Sequence, residues 1–90
     1  MNNQLEEYRK EIDTIDEELL QILQKRFTVV KKIGKLKKEN NTPPLDEARW
    51  KIVLEKVKEK AKKYSLPEKF VEKLYEEIHE TALKMEEEYE

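Results

Sequence analysis

Two cations stand where an apolar seam calls for hydrocarbon. Leu5, Tyr8, Ile12, Ile15, Leu19 and Ile22 are spaced alternately three and four apart, which marks one stripe along a helix. The next step of that stripe is Arg26; Val30 and Ile33 resume it, and Lys37 breaks it again. A charge turned into a core must be paired or it is strongly destabilising. Arg26 and Lys37 are eleven residues apart. At about 100° and 1.5 Å per residue they differ by only about 20° around the axis and lie roughly 16 Å apart along it. Asp46, Arg49 and Glu86 are the further polar groups that helix packing can bring to the same place. Inward-facing cations select an anion, and guanidinium forks match carboxylates, so the chemistry indicated is recognition of a small anion, most simply a dicarboxylate. Arg9 lies seventeen residues before Arg26, roughly 25 Å away and about 100° round the helix. It can reach such a ligand only from a second chain. Taken singly, Arg26 also suits a snorkelling seam residue, and Asp46 a plain helix cap.

The elements that must position these groups are helical. The charged fraction is 44%, glycine occurs once and cysteine is absent, a composition typical of helical bundles. Ninety residues make one domain, 1–90. The pattern predicts an all-α chain of three helices. The first is long, from about Asn3 to Asn40, and its Gly34 reads as a point of close approach for another helix or a ligand. Asn40, Asn41, Thr42, Pro43 and Pro44 form the linker. The second helix starts near Asp46 as N-cap and ends around Tyr64, with Asp46, Arg49 and Trp50 sharing a face. Ser65, Leu66, Pro67 and Glu68 read as a capping box with proline inside the first turn of the third helix. That helix carries Val71, Leu74, Ile78, Ala82, Met85 and Tyr89 at core spacing, with Tyr75, His79, Ala82 and Glu86 as a neighbouring strip. His79 reads as a structural or exposed histidine. The first helix would be near 55 Å long at about 1.5 Å per residue, whereas a compact globule of this size has a diameter of roughly 30 Å. The overhang predicts an intertwined homodimer with the long helices packed together.

Composition also narrows the function. Nineteen cations against 21 anions give a net charge of −2, without the basic excess that nucleic-acid binding wants. No cysteine and a single histidine leave no thiolate chemistry and no histidine-based metal site. No apolar run reaches the roughly 18 residues of a membrane span, and the opening residues do not read as a signal peptide. A soluble, cytoplasmic protein without metal, nucleic-acid or membrane partner is expected.

The stretches "YRKEIDTIDEELLQILQKRFTVVKKIGKLKKE", "PPLDEAR" and "LPEKFVEKLYEEIHE" resemble the all-helical chorismate mutases of the AroQ type, over nearly the whole chain. The resemblance implies an interlocked dimer of three-helix chains and the rearrangement of chorismate to prephenate in aromatic amino-acid biosynthesis. It implies that Arg9 reaches a substrate carboxylate from the partner chain and that Arg26 grips the other carboxylate. Lys37 would donate to the ether oxygen of the breaking bond. Asp46 and Arg49 match the polar pair near the substrate hydroxyl, and Glu86 lies where the family usually has glutamine. The reaction is pericyclic, so no nucleophile, general base or cofactor is needed. Restriction of the substrate's conformation and preorganised cations would carry it.

Three positions depart from the family pattern. Trp50 replaces a glutamate that contacts the substrate hydroxyl, and Ala82 replaces a serine or threonine on a carboxylate. Glu86 can donate to the ether oxygen only when protonated, so activity is expected to rise toward acid pH unless burial keeps Glu86 neutral. Two alternatives share the fold: an isochorismate pyruvate lyase, or a mutase for the 4-amino-4-deoxy analogue. A third is of another kind, a non-catalytic helical dimerisation or ligand-sensing module.

Overall fold

In a computed structural model the described residues are 3–88, so Tyr89 of the expected core spacing lies outside them, and the chain forms three helices. They are α1 (Asn3–Glu39), α2 (Glu47–Lys63) and α3 (Glu68–Glu87), and no strand occurs among the described residues. The chain measures 61 × 25 × 15 Å, with a radius of gyration of 16.9 Å. A compact chain of this length has about 12 Å, so α1 does overhang.

α3 packs on both α1 and α2, while α1 and α2 do not pack on each other. The buried apolar residues are Val30 of α1, Ala61 of α2, and Val71, Ile78 and Ala82 of α3. All lie toward one end of the molecule. The first half of α1 projects beyond it: Tyr8, Ile12, Ile15, Leu19 and Ile22 remain 54–60% exposed. The stripe read from the sequence is therefore intact but uncovered within a single chain.

Gly34 marks the crossing of α1 and α3. A Cβ built there would lie 2.9 Å from the Cα of Glu86, closer than carbon atoms pack. The glycine serves close approach, as read from the sequence, and α1 runs through it unbroken.

Helix ends set the remaining geometry. At the end of α1, Asn41 adopts a left-handed φ of 55°. Its amide donates to the Lys38 carbonyl, and the Thr42 amide donates to that of Lys37 at 2.8 Å. This is a Schellman termination, with asparagine in the usual place of glycine. The end of α2 repeats it: Ser65 has φ 55°, its amide reaches the Lys62 carbonyl, and that of Leu66 reaches Ala61 at 2.8 Å. Here one expectation fails. Ser65 is committed to ending α2, so it cannot cap α3. The N-cap is Pro67, without a side-chain hydrogen bond, and the helix begins at Glu68. Asp46 is the N-cap of α2 as expected, its Oδ1 accepting from the Arg49 amide at 3.0 Å.

Candidate functional site

Because α3 stands between the other two helices, a hollow of about 480 Å³ opens where all three meet the linker. That volume suits a small molecule. α1 contributes Arg26, Val30, Ile33 and Lys37; the linker adds Pro44; α2 adds Asp46, Arg49, Trp50 and Val53; α3 adds His79, Ala82, Leu83 and Glu86. The charged lining is three cations and two carboxylates on apolar walls.

Lys37 is fixed from two sides. The Schellman turn folds the linker back, and the Lys37 ammonium donates to the Pro44 carbonyl. Its Nζ also lies 2.8 Å from Oε1 of Glu86. The two side chains are 21% and 10% exposed, so the pair sits largely out of water, where charge–charge attraction is strong. Oε1 of Glu86 is buried, with the Lys37 ammonium against it.

Arg26 is half-buried, with its guanidinium carbon 5.8 Å from the centroid of the Tyr75 ring. The ring face steadies the cation and leaves its donors available. Asp46 and Arg49 occupy the exposed rim, where Asp46 spends one oxygen on the cap. Trp50 and His79 form a flat wall, their rings stacked with centroids 4.0 Å apart and planes within 8°. The His79 imidazole is held below its ordinary value of 6.5, first by burial. Glu86 and Glu80 act to raise it, Arg26 and Lys37 to lower it further.

The site residues expected from the sequence on α1, α2 and α3 thus converge: Arg26, Lys37, Asp46, Arg49, Trp50, Ala82 and Glu86 all line one hollow. Arg9 does not. It pairs with Glu6 at 2.8 Å on the projecting part of α1. The residue missed is His79. Its signal was the strip of Tyr75, His79, Ala82 and Glu86, which puts it one turn before Ala82 on the face bearing Glu86. The Pro44 carbonyl has no signature in side-chain types. Among the described residues no cluster of His, Asp or Glu is suited to hold a metal ion, and no helix is long and apolar enough to cross a membrane.

Residues 8–87 match the family described as chorismate mutase type II. A bifunctional chorismate mutase/prephenate dehydratase of Buchnera aphidicola is 37% identical over 81 residues, 90% of this chain and 21% of that protein. One from Aquifex aeolicus is 35% identical over 86 residues, covering 92% of this chain and 24% of that protein. The chain thus spans about a fifth to a quarter of these relatives' length. A chorismate mutase of Methanocaldococcus jannaschii is 27% identical over 85 residues, 92% of this chain and 86% of that protein. Among solved structures, a conserved hypothetical protein from Pyrococcus furiosus superposes with a TM-score of 0.69 at 32% identity, covering 93% of this chain and 96% of that one.

Proposed function

The chain belongs to the chorismate mutase type II family, and we propose that it converts chorismate to prephenate as a homodimer. The observation that carries this reading is the convergence of Arg26, Lys37 and the buried Glu86 paired with Lys37 on one hollow. The rearrangement breaks one C–O bond while forming one C–C bond within a single molecule, so nothing is transferred to or from the protein. What the site must do is hold a dianion folded on itself and meet the negative charge that grows on the ether oxygen.

In this reading Arg26 takes one carboxylate with its guanidinium fork. Lys37, held by Glu86 and Pro44, donates to the ether oxygen. Glu86, when protonated, donates to the same oxygen and returns to the Lys37 pair when it is not. Arg49 and Asp46 meet the hydroxyl end from the rim, while Ala82 and the Trp50–His79 wall shape the remaining surface. The second carboxylate is left to Arg9 of the partner subunit. Two observations support a second chain: Arg9 stands far from the hollow of its own chain, paired with Glu6, and the stripe from Tyr8 to Ile22 is uncovered. Packing two such stripes together buries both and carries each Arg9 toward the other's hollow. We place the enzyme in the cytoplasm.

The Trp50–His79 wall favours one second reading. No carboxylate stands at Trp50 to receive the 4-hydroxyl, so a related substrate, isochorismate or the 4-amino analogue, competes for the assignment. Offering each compound to the pure protein decides between them: prephenate from chorismate supports the mutase, and salicylate with pyruvate from isochorismate supports the lyase.

The dimeric site is tested by mixing two inactive variants, Arg9→Ala and Arg26→Ala. Random exchange makes half the dimers hybrid, and a two-fold hybrid holds one intact site, so about a quarter of wild-type turnover returns. Recovery of none, from variants that do exchange, removes Arg9 from the site.

A further inference from the structure

The reading above leaves His79 without a task, although it is the one group in the hollow that titrates near neutral pH. Its ring is clamped against Trp50 at 4.0 Å, on the same wall as Ala82 and Glu86. On the reading that the hollow takes a dianion, we propose that His79 is a binding residue: its imidazole takes up a proton from solvent as the ligand enters and becomes an additional cation facing it.

The charges around the ring carry the argument. α1 presents Arg26 and Lys37, α2 presents Asp46 and Arg49, and α3 presents Glu80 and Glu86. With the hollow free of ligand, burial together with Arg26 and Lys37 keeps the imidazole neutral, against the pull of Glu86 and Glu80. A dianion reverses the balance. It pairs with Arg26 and Lys37, cancelling the two cations that oppose protonation, and it brings two negative charges of its own into the same space. The charged ring also has a place to rest, since a cation over an indole face is stabilised by the ring's quadrupole. The stack thus fixes the imidazole without blocking either protonation state. Binding and proton uptake are then linked: each favours the other to the same extent.

Calorimetry measures this directly. The probe is a stable bicyclic ether dicarboxylate shaped like the folded reactant, titrated at pH 7 in phosphate and in Tris, whose ionisation enthalpies differ widely. The wild type should show a binding heat that depends on the buffer in the sense of proton uptake. Its affinity should tighten between pH 8 and pH 6, by about tenfold for each unit that binding raises the imidazole. His79→Gln should bind with a smaller buffer dependence and a shallower pH profile than the wild type, and Glu86→Gln should keep the part that His79→Gln loses. His79→Asn serves as a second neutral amide if the first variant does not fold. Binding by the wild type without buffer dependence overturns the inference alone. So does uptake undiminished in His79→Gln or abolished in Glu86→Gln. Absence of binding heat in any buffer overturns the dianion reading, and this inference with it.

Discussion

Glu86 reaches Lys37 because Gly34, one turn before Lys37 on the same helix, has no side chain. Oε1 of Glu86 lies 2.8 Å from Lys37 Nζ, and a Cβ on Gly34 would stand 2.9 Å from the Glu86 Cα. The atom in the way is backbone, so no rotamer change relieves the clash. Gly34→Ala should therefore lose stability despite a gain of about 1 kcal/mol in helix propensity, because overpacking costs typically 1–3 kcal/mol. Moving α3 outward also lengthens the Lys37–Glu86 contact, so turnover should fall together with stability. Urea denaturation and chorismate consumption check both. A variant as stable and as active as the wild type would show that the crossing has room to spare.

Glu86→Gln separates the charge of this residue from its ability to donate. A carboxylic acid donates only when protonated, an amide at any pH. If Glu86 meets the ether oxygen, the glutamine variant donates there at every pH and should turn over saturating chorismate faster than the wild type. At pH 7.5 the variant should be faster by about tenfold or more, given that one donor to developing charge is worth roughly 10²–10³. Measuring kcat at saturation keeps the result apart from His79, which acts on affinity. A kcat at pH 7.5 unchanged by the substitution removes Glu86 from the chemistry.

Much of this site was legible because helical periodicity fixes direction. Arg26 and Lys37 interrupt a seam, and a seam must face something, so their inward orientation followed from spacing alone. Asp46 carried its own signal as a cap. His79 was legible only in part: the strip it shares with Tyr75, Ala82 and Glu86 gives its face, but its role depends on Trp50 arriving from another helix. The start of α3 was misread for a related reason, whereas the end of α2 falls at Tyr64 as expected. Ser65 can cap a following helix or close the preceding one in the left-handed region, and only the backbone hydrogen bonds at Lys62 and Ala61 decide. The Lys37–Pro44 contact depends on a carbonyl, which every residue has and no side-chain pattern reveals.

Without ligand, His79 should make the fold less stable in acid. Its imidazole titrates below the ordinary 6.5 in the folded chain, mainly through burial. As pH falls, the unfolded chain therefore binds the proton first. The stabilising contribution is complete above about pH 6.5 and is lost as pH drops toward the folded value. His79→Gln lacks this component, so the stability difference between wild type and variant should shift against the wild type from pH 8 to pH 5.5. Urea midpoints of the two proteins at matched pH cancel the carboxylates they share. A difference independent of pH would place the imidazole freely in water. Saturating the wild type with the bicyclic dicarboxylate should reverse the sign, since the bound state prefers the charged ring.

Arg26 decides between a catalytic hollow and a structural seam. Within its own chain it faces the Tyr75 ring, 5.8 Å away, and a cation–π contact at a partly exposed site is worth about 0.5–1 kcal/mol. A structural arginine in a seam would be improved by an apolar residue of similar length, because desolvating the guanidinium outweighs what it gains. Arg26→Met should accordingly leave stability within about 1 kcal/mol of the wild type, or raise it. If the arginine grips a substrate carboxylate, the same variant should lose at least about 10³ in kcat/KM, more than the loss of a single neutral donor costs. Circular dichroism through thermal unfolding reports the first quantity and chorismate consumption the second. Loss of turnover in a fully folded dimer assigns Arg26 to the ligand. A stabilised protein with unaltered turnover would return it to the seam and leave the hollow without its principal anion grip.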